Sequence, residues 1–385
     1  MGQQQALQIF AGPRARARLA ERGLRPEDVR VVPAAAGGPK GLILGALDQH
    51  LFGDWLGQSL QEVHLLGASI GAWRMATACL ADPAQGFARL AEAYVHQRYD
   101  GPPGRRPTAA AVSRGFAATL QDFFGGREAE ALAHPRFRLH VFTSRGRHVL
   151  AREGRLRTPL GYTAAFAVNA LARRAMGGWL ERVVFSDPRA PLPMPLHDYR
   201  SRQVELTVEN FQPSVLASCS IPFWLQAVHD IAGAPKGAYW DGGITDYHLH
   251  LNYAAMVGDQ RPPCRPKAVD APVGARSEAT WGLEGNLVLY PHFQRQVIPG
   301  WLDKALKSRH RSTAFLDNVV LLAPHPDWVA GLPRGKLPDR EDFQHYGDDV
   351  DARARAWLRA IRESERLRDE FAAACARPSI EALPL

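Results

Sequence analysis

The clearest pattern begins at Val29–Val32, a short strand by its apolar spacing, which Pro33 closes. A run of tiny residues follows, Ala34–Gly38, and from Pro39 the apolar positions Leu42, Ile43, Leu44, Ala46 and Leu47 recur at helical spacing. Proline suits a first helical position, where its missing N–H would have had no partner. The unit is strand, small-residue turn, helix. It recurs at once: Val63–Leu66 is mostly apolar, Gly67–Gly71 is a tight turn, and Ala72–Leu80 is a helix with few polar residues. Two such units in succession predict a largely parallel central sheet, and so a three-layer α/β/α fold.

Elsewhere the pattern is weaker. Residues 13–25 read as a basic helix, and Phe137–Ser144 with His148–Ala151 reads as a hairpin turning at Arg145–Gly146–Arg147. Val183–Phe185, Ala238–Trp240, Asn286–Tyr290 and Asn318–Leu322 are further expected strands, and Pro213–Ser220 a short helix. Asp100–Pro107 and Asp187–Tyr199, both rich in proline, read as surface loops or lids. A single long Arg- and Glu-rich helix is expected over 349–376. Its i,i+4 pairs Arg359–Glu363 and Arg366–Glu370 suit a solvated face of a packed terminal helix rather than a membrane anchor.

Composition narrows the class. With 385 residues, 46% of them hydrophobic, and no repeat of fixed period, the chain is expected to form one domain over 1–385. The formal charge of +8 is spread along the chain; it is read either as the solvated surface of an Arg-rich composition or as a field that attracts anionic surfaces, phospholipid membranes among them. Without RNA-binding or zinc-finger spacing, nucleic acid is not an expected partner. Cys79, Cys219, Cys264 and Cys375 are scattered and expected as reduced thiols. His134, His140, His229, His292 and His325 lack ligand spacing, so neither a metal nor another cofactor is expected. The N-terminus lacks the apolar run of a secretory signal, and no apolar stretch reaches about 18 residues. The expectation is a cytoplasmic protein without a transmembrane segment, able to sit peripherally at a membrane.

Three segments carry candidate chemistry. Gly67-Ala68-Ser69-Ile70-Gly71 is a G-x-S-x-G turn between an expected strand and an expected helix, the context in which such a serine is thrust into a cleft as a nucleophile. Ala36-Gly37-Gly38-Pro39-Lys40-Gly41 lies between strand and helix as well. Paired glycines there let backbone N–H groups approach an anion, whereas the spacing of a nucleotide-binding P-loop is missing. Trp240-Asp241-Gly242-Gly243 sets a carboxylate at a strand end on a permissive turn, although Asp-Gly is also an ordinary hairpin signal.

Together, in this order, the three resemble the patatin-like phospholipases. That family carries a G-G-G-x-[RK]-G oxyanion loop, a G-x-S-x-G nucleophile turn and an Asp-Gly-Gly or Asp-Gly-Ala motif. Ala217-Ser218-Cys219-Ser220-Ile221-Pro222 resembles the segment that precedes the family's aspartate, so motif support runs from about 29 to 246. By this resemblance Ser69 is the nucleophile and Asp241 its general base. Gly37 and Gly38 supply oxyanion-hole N–H groups, with Lys40, Gly41, Gly67, Gly71, Gly242 and Gly243 in support. The implied activity is hydrolysis of carboxylic esters in phospholipids or lysophospholipids through an acyl-serine, with no cofactor. Departures are Ala36 for the first glycine, Pro39 at the variable position, and Ile244-Thr245-Asp246-Tyr247 after the Asp-Gly-Gly.

Other readings stay open. An α/β-hydrolase-like esterase acting on neutral lipid or polyester would use Ser69 and Asp241 with His248 or His250. A non-catalytic protein could hold a phosphorylated ligand in the Gly-rich loop. Trp73, Phe211, Phe223 and Trp224 either line an acyl-chain pocket or belong to the core.

Overall fold

The computed structural model describes residues 5–98, 107–256 and 286–385. Apolar runs of the kind just read supply the inner strands of one sheet, whose members are β1 (Leu7–Ala11), β2 (Val29–Ala34), β3 (Val63–Ala68), β4 (Phe137–Gly146), β5 (Leu180–Ser186), β6 (Ser201–Glu205), β7 (Val228–His229), β8 (Ala238–Asp241), β9 (Leu287–Pro291), β10 (Val319–Pro324) and β11 (Leu383–Pro384). Their main order is β11-β1-β10-β9-β2-β3-β4-β5-β6, with β8 paired to β4 and β7 to β8. The middle run from β10 to β4 is parallel throughout. Every residue of β2, β3, β9 and β10 is buried, which requires cover on both faces. The expected three-layer α/β/α architecture with a largely parallel sheet is the one observed. Among the described residues no helix is long and apolar enough to cross a membrane.

Register brings two distant residues together. Along one edge of β4, β3 pairs with Phe137–Phe142 and ends with Ala68 opposite Phe142. Strand β5 occupies the other edge over His140–Gly146. The remaining edge beyond Phe142 is taken by β8, which runs the opposite way and ends with Asp241 opposite Thr143. The tips of β3 and β8 therefore meet head to head, and the residues at those tips are Ser69 and Asp241.

Three expectations need correction. No hairpin forms at Arg145–Gly146–Arg147. Instead β4 runs unbroken to Gly146, and His148–Ala151 is a 3₁₀ turn folded back on it. Arg145 can lie within a strand because Glu181 of β5 accepts its Nε at 2.8 Å. The terminal helix breaks into Val350–Glu363 and Glu365–Cys375 at Ser364. Ser364 is fully buried, and its hydroxyl turns back to the Ile361 carbonyl at 2.6 Å, closing the first helix and letting the second aim Leu367 and Phe371 into the core. Pro39 sits at the second position of a 3₁₀ stretch over Gly38–Leu44, and regular helix starts only at Gly45. The loop expected at Asp100–Pro107 falls almost wholly outside the described residues; Asp187–Tyr199 is irregular, as expected.

Candidate active site

Ser69 stands between the end of β3 and the helix Ile70–Ala78, with φ at 58°. An L-residue there is strained, and the surrounding chain must hold it. Gly67 and Gly71 make that bend sterically possible. A Cβ on Gly71 would lie 2.0 Å from the Ala34 carbonyl oxygen, and one on Gly67 would lie 2.3 Å from the Ala72 Cα. Both obstacles are backbone, so neither can step aside.

The hydroxyl of Ser69 donates to Asp241 Oδ2 at 2.6 Å, and the other carboxylate oxygen accepts the Gly243 N–H at 2.7 Å. Around this pair the segment Ala217–Pro222 acts as a clamp. The Ser220 carbonyl accepts the Asp241 N–H at 2.9 Å and the Ser218 carbonyl accepts the Gly242 N–H at 3.0 Å. Ser218 Oγ also accepts the Ser69 N–H at 2.9 Å while donating to the Phe142 carbonyl at 2.7 Å. The hydroxyl of Ser218 thus ties the end of β3 to the middle of β4, while its carbonyl holds the turn that follows β8. The segment was legible in the sequence; that Ser218 positions the nucleophile was not.

Burial raises the pKa of Asp241. The Ser69 hydroxyl, the charges of Arg340 and Lys304, and the Gly243 N–H pull the other way. The carboxylate is thus a stronger base than an exposed aspartate, and these neighbours limit the rise.

Above the pair opens a cavity of about 200 Å³, walled by Gly37, Lys40, Ile221, Tyr247, Lys304 and Arg340 among others. Ala36 spends its N–H on the Tyr247 carbonyl at 2.9 Å. The N–H groups of Gly37 and Gly38 make no hydrogen bond among the described residues. Gly37 faces the cavity with Ser69. Gly38, at φ 57°, does not: it borders a smaller neighbouring hollow, with the Arg340 side chain close above its Cα. Of the two expected oxyanion donors, only Gly37 lines the cavity. Gly41 is buried in the 3₁₀ stretch.

The mouth has an unusual charge balance. Lys40, Lys304 and Arg340 all line the cavity, and none forms an ion pair among the described residues. Two carboxylates lie beside them, but Lys336 engages both, reaching Asp339 at 2.5 Å and Glu341 at 3.6 Å. The Lys304 ammonium lies 4.0 Å over the Tyr247 ring; desolvation there, then repulsion from Arg340 and Lys40, pushes its pKa down to about 8. Burial lowers Lys40 as well. Three cations share one opening, and among the described residues none forms an ion pair, although Asp339 and Glu341 attract Lys40 from the same wall. No local signal in the sequence could have found Lys304 and Arg340, which lie beyond the motif-bearing stretch.

The remaining candidates separate. His248 is fully buried, stacked on Tyr247, and its Nδ1 accepts the Ile298 N–H at 3.0 Å. His250 lies within 3.2 Å of the Thr313 hydroxyl. Neither makes a hydrogen bond to Ser69 or Asp241. Trp73 and Phe211 belong to the core, whereas Phe223 and Trp224 are exposed, so none of the four lines the cavity. Cys79, Cys219 and Cys375 are free thiols, and Cys264 lies outside the described residues. No family model matches the chain, and no curated protein matches it.

Proposed function

We propose that the chain is a serine acyl hydrolase that cleaves a carboxylic ester of a phospholipid or lysophospholipid with Ser69 and Asp241 alone, as its likeness to patatin-like phospholipases implies. One observation carries the reading: a strained serine whose hydroxyl lies 2.6 Å from a buried carboxylate on the floor of a cavity. In this mechanism Oγ attacks the ester carbonyl as its proton passes to Asp241 Oδ2. The negative oxygen of the tetrahedral intermediate finds the unpartnered Gly37 N–H and the start of helix Ile70–Ala78. Collapse releases the alcohol, which takes the proton from Asp241, and water then cleaves the acyl-serine by the same route. His248 and His250 have no step in it.

The test is hydrolysis of a p-nitrophenyl ester together with labelling by a fluorophosphonate, on the native chain and Ser69→Ala. The native chain should turn over and label at Ser69, and the variant should lose both, by about 10⁴-fold or more in rate. A native chain that neither hydrolyses nor labels, but binds inorganic phosphate, would point instead to the ligand-binding reading.

The anionic substrate class is supported by the three cations at the mouth. Lys304→Gln with Arg340→Gln should lower kcat/KM for an anionic phospholipid by about tenfold or more, since each charge-assisted hydrogen bond contributes about 1.5–3 kcal/mol. Turnover of the neutral p-nitrophenyl ester should survive. Its acidic limb should nonetheless move to higher pH, because both cations lower the Asp241 pKa. Equal losses on neutral and anionic esters would remove the headgroup role.

A further inference from the structure

The helix Arg157–Leu171 lies beside the cavity and has no ordinary solvent face. From Thr158 to Ala172 it carries no charged residue. Its outward positions include Leu160, 66% exposed, Phe166, 42%, and Leu171, 88%, with Leu156 at 74% just before its start. Next to it stand Phe223, 58% exposed, and Trp224, 46%. Six of the ten large apolar side chains exposed among the described residues therefore share this one region. Helices on a protein surface normally turn polar residues to water, and clustered apolar exposure marks a docking site.

Two links tie this face to the cavity. Phe223 and Trp224 directly follow Ile221 and Pro222, which line it. On the helix's inner side, Tyr162 packs against both Phe223 and Trp240, the residue before Asp241. At the far end, Asn169 binds Asp303, a neighbour of the cavity residues Trp301 and Lys304, at 2.9 Å. The surrounding charge is mainly positive. Arg155 and Arg157 at the helix start and Arg174 beyond its end are exposed and form no ion pair among the described residues. The neighbouring carboxylates are engaged: Glu153 accepts the Ala227 N–H and Asp230 binds Arg152 at 2.8 Å.

We infer that this face, the outer side of helix Arg157–Leu171 with Phe223 and Trp224, is the surface by which the protein docks on an anionic lipid bilayer, laying the mouth of the Ser69 cavity against it. The inference rests on the proposed lipid substrate. Apolar side chains flanked by arginines match the acyl and headgroup layers of such a surface, as in helices that lie in a membrane interface. A lipid leaving the bilayer would then pass Phe223 and Trp224 and meet Ile221 and Pro222 without crossing water.

Binding can be separated from chemistry by using Ser69→Ala chain in vesicle co-sedimentation, with vesicles of phosphatidylcholine alone and of phosphatidylcholine with phosphatidylglycerol. The Leu160→Glu, Phe166→Glu double variant should bind mixed vesicles about tenfold or more weakly, and Arg155→Gln with Arg174→Gln should lose the preference for anionic ones. In the Ser69 background, the same substitutions should leave turnover of a soluble p-nitrophenyl ester intact, which also checks folding. Unchanged vesicle binding by the double variant overturns the inference. So does a dimer in sedimentation velocity that the double variant splits, with no vesicle binding by either, since the face would then meet a second copy. Loss of vesicle binding by a chain that never hydrolyses esters would keep the docking surface and sink the hydrolase reading.

Discussion

Asp241→Asn should lower kcat on a p-nitrophenyl ester by about 10³- to 10⁴-fold while leaving the fold as stable as before, or more so. The first half follows from the geometry. The amide fills the same space and still accepts the Gly243 N–H through its oxygen, but the atom facing Ser69 Oγ can no longer take a proton. General-base catalysis supplies about that factor. The second half follows from the sign of the pKa shift. Burial raises Asp241 above the ordinary aspartate value, so the folded chain binds this proton more tightly than the unfolded chain does. Ionised Asp241 thus costs folding free energy at neutral pH, and stability rises as pH falls from the folded pKa toward the unfolded value of about 3.9. An amide has no such cost. In the native chain the acidic limb of the pH–rate profile should sit above the ordinary carboxylate range; any residual activity of the variant should lack that limb. Kinetics and thermal melting from pH 4 to 8 check both halves. A variant that melts much lower at neutral pH, or that keeps most of its rate, would deny Asp241 its role as base.

How much of this was readable along the chain depended on the range of the forces involved. Strands β2 and β3 were legible because a strand buried on both faces must carry an apolar run, and the turns after them must carry small residues. Ser69 and Asp241 were legible because their turns leave local marks, glycines forced by backbone contacts at 2.0 and 2.3 Å in the first case. Long-range pairing leaves no such mark. Strand β1, Leu7–Ala11, hid in a polar N-terminus; its place depends on β10, more than three hundred residues later. The continuation of β4 through Arg145 depends on Glu181, and the break at Ser364 on which face of each half-helix meets the core. Lys304 and Arg340 reach the cavity only once β9 and β10 have been inserted between β1 and β2. The local motifs showed where the reacting atoms stand. Which substrate charge they would face was written in residues the motifs do not include.

The same limit hid the residue whose loss should cost the fold most. Arg182 of β5 is wholly buried. It grips Asp246 with Nε at 2.7 Å and Nη2 at 2.6 Å, and Asp198 with Nη1 at 2.9 Å. Although burial opposes its charge, the two carboxylates raise its pKa further, and Asp198 is depressed in return. Asp246 lies five residues after Asp241, and its N–H bonds the Gly242 carbonyl at 2.9 Å, so the ion network is tied to the turn that carries the base. Arg182→Met should keep the volume and strand the Asp246 carboxylate away from water. Losing one partner of a buried pair costs about 3–5 kcal/mol, or roughly 4–6 °C of melting temperature in a chain of this size. Arg182→Met with Asp246→Leu should recover part of that loss, because the fully buried charge of Asp246 is gone and only the partly exposed Asp198 is left without its arginine. Differential scanning calorimetry of the three proteins decides it. A single variant melting within about 2 °C of the native chain would mean that water reaches Asp246 and that this network contributes little. A double variant melting below the single one would place the stabilisation in the ion pair itself rather than in the avoidance of a lone buried charge.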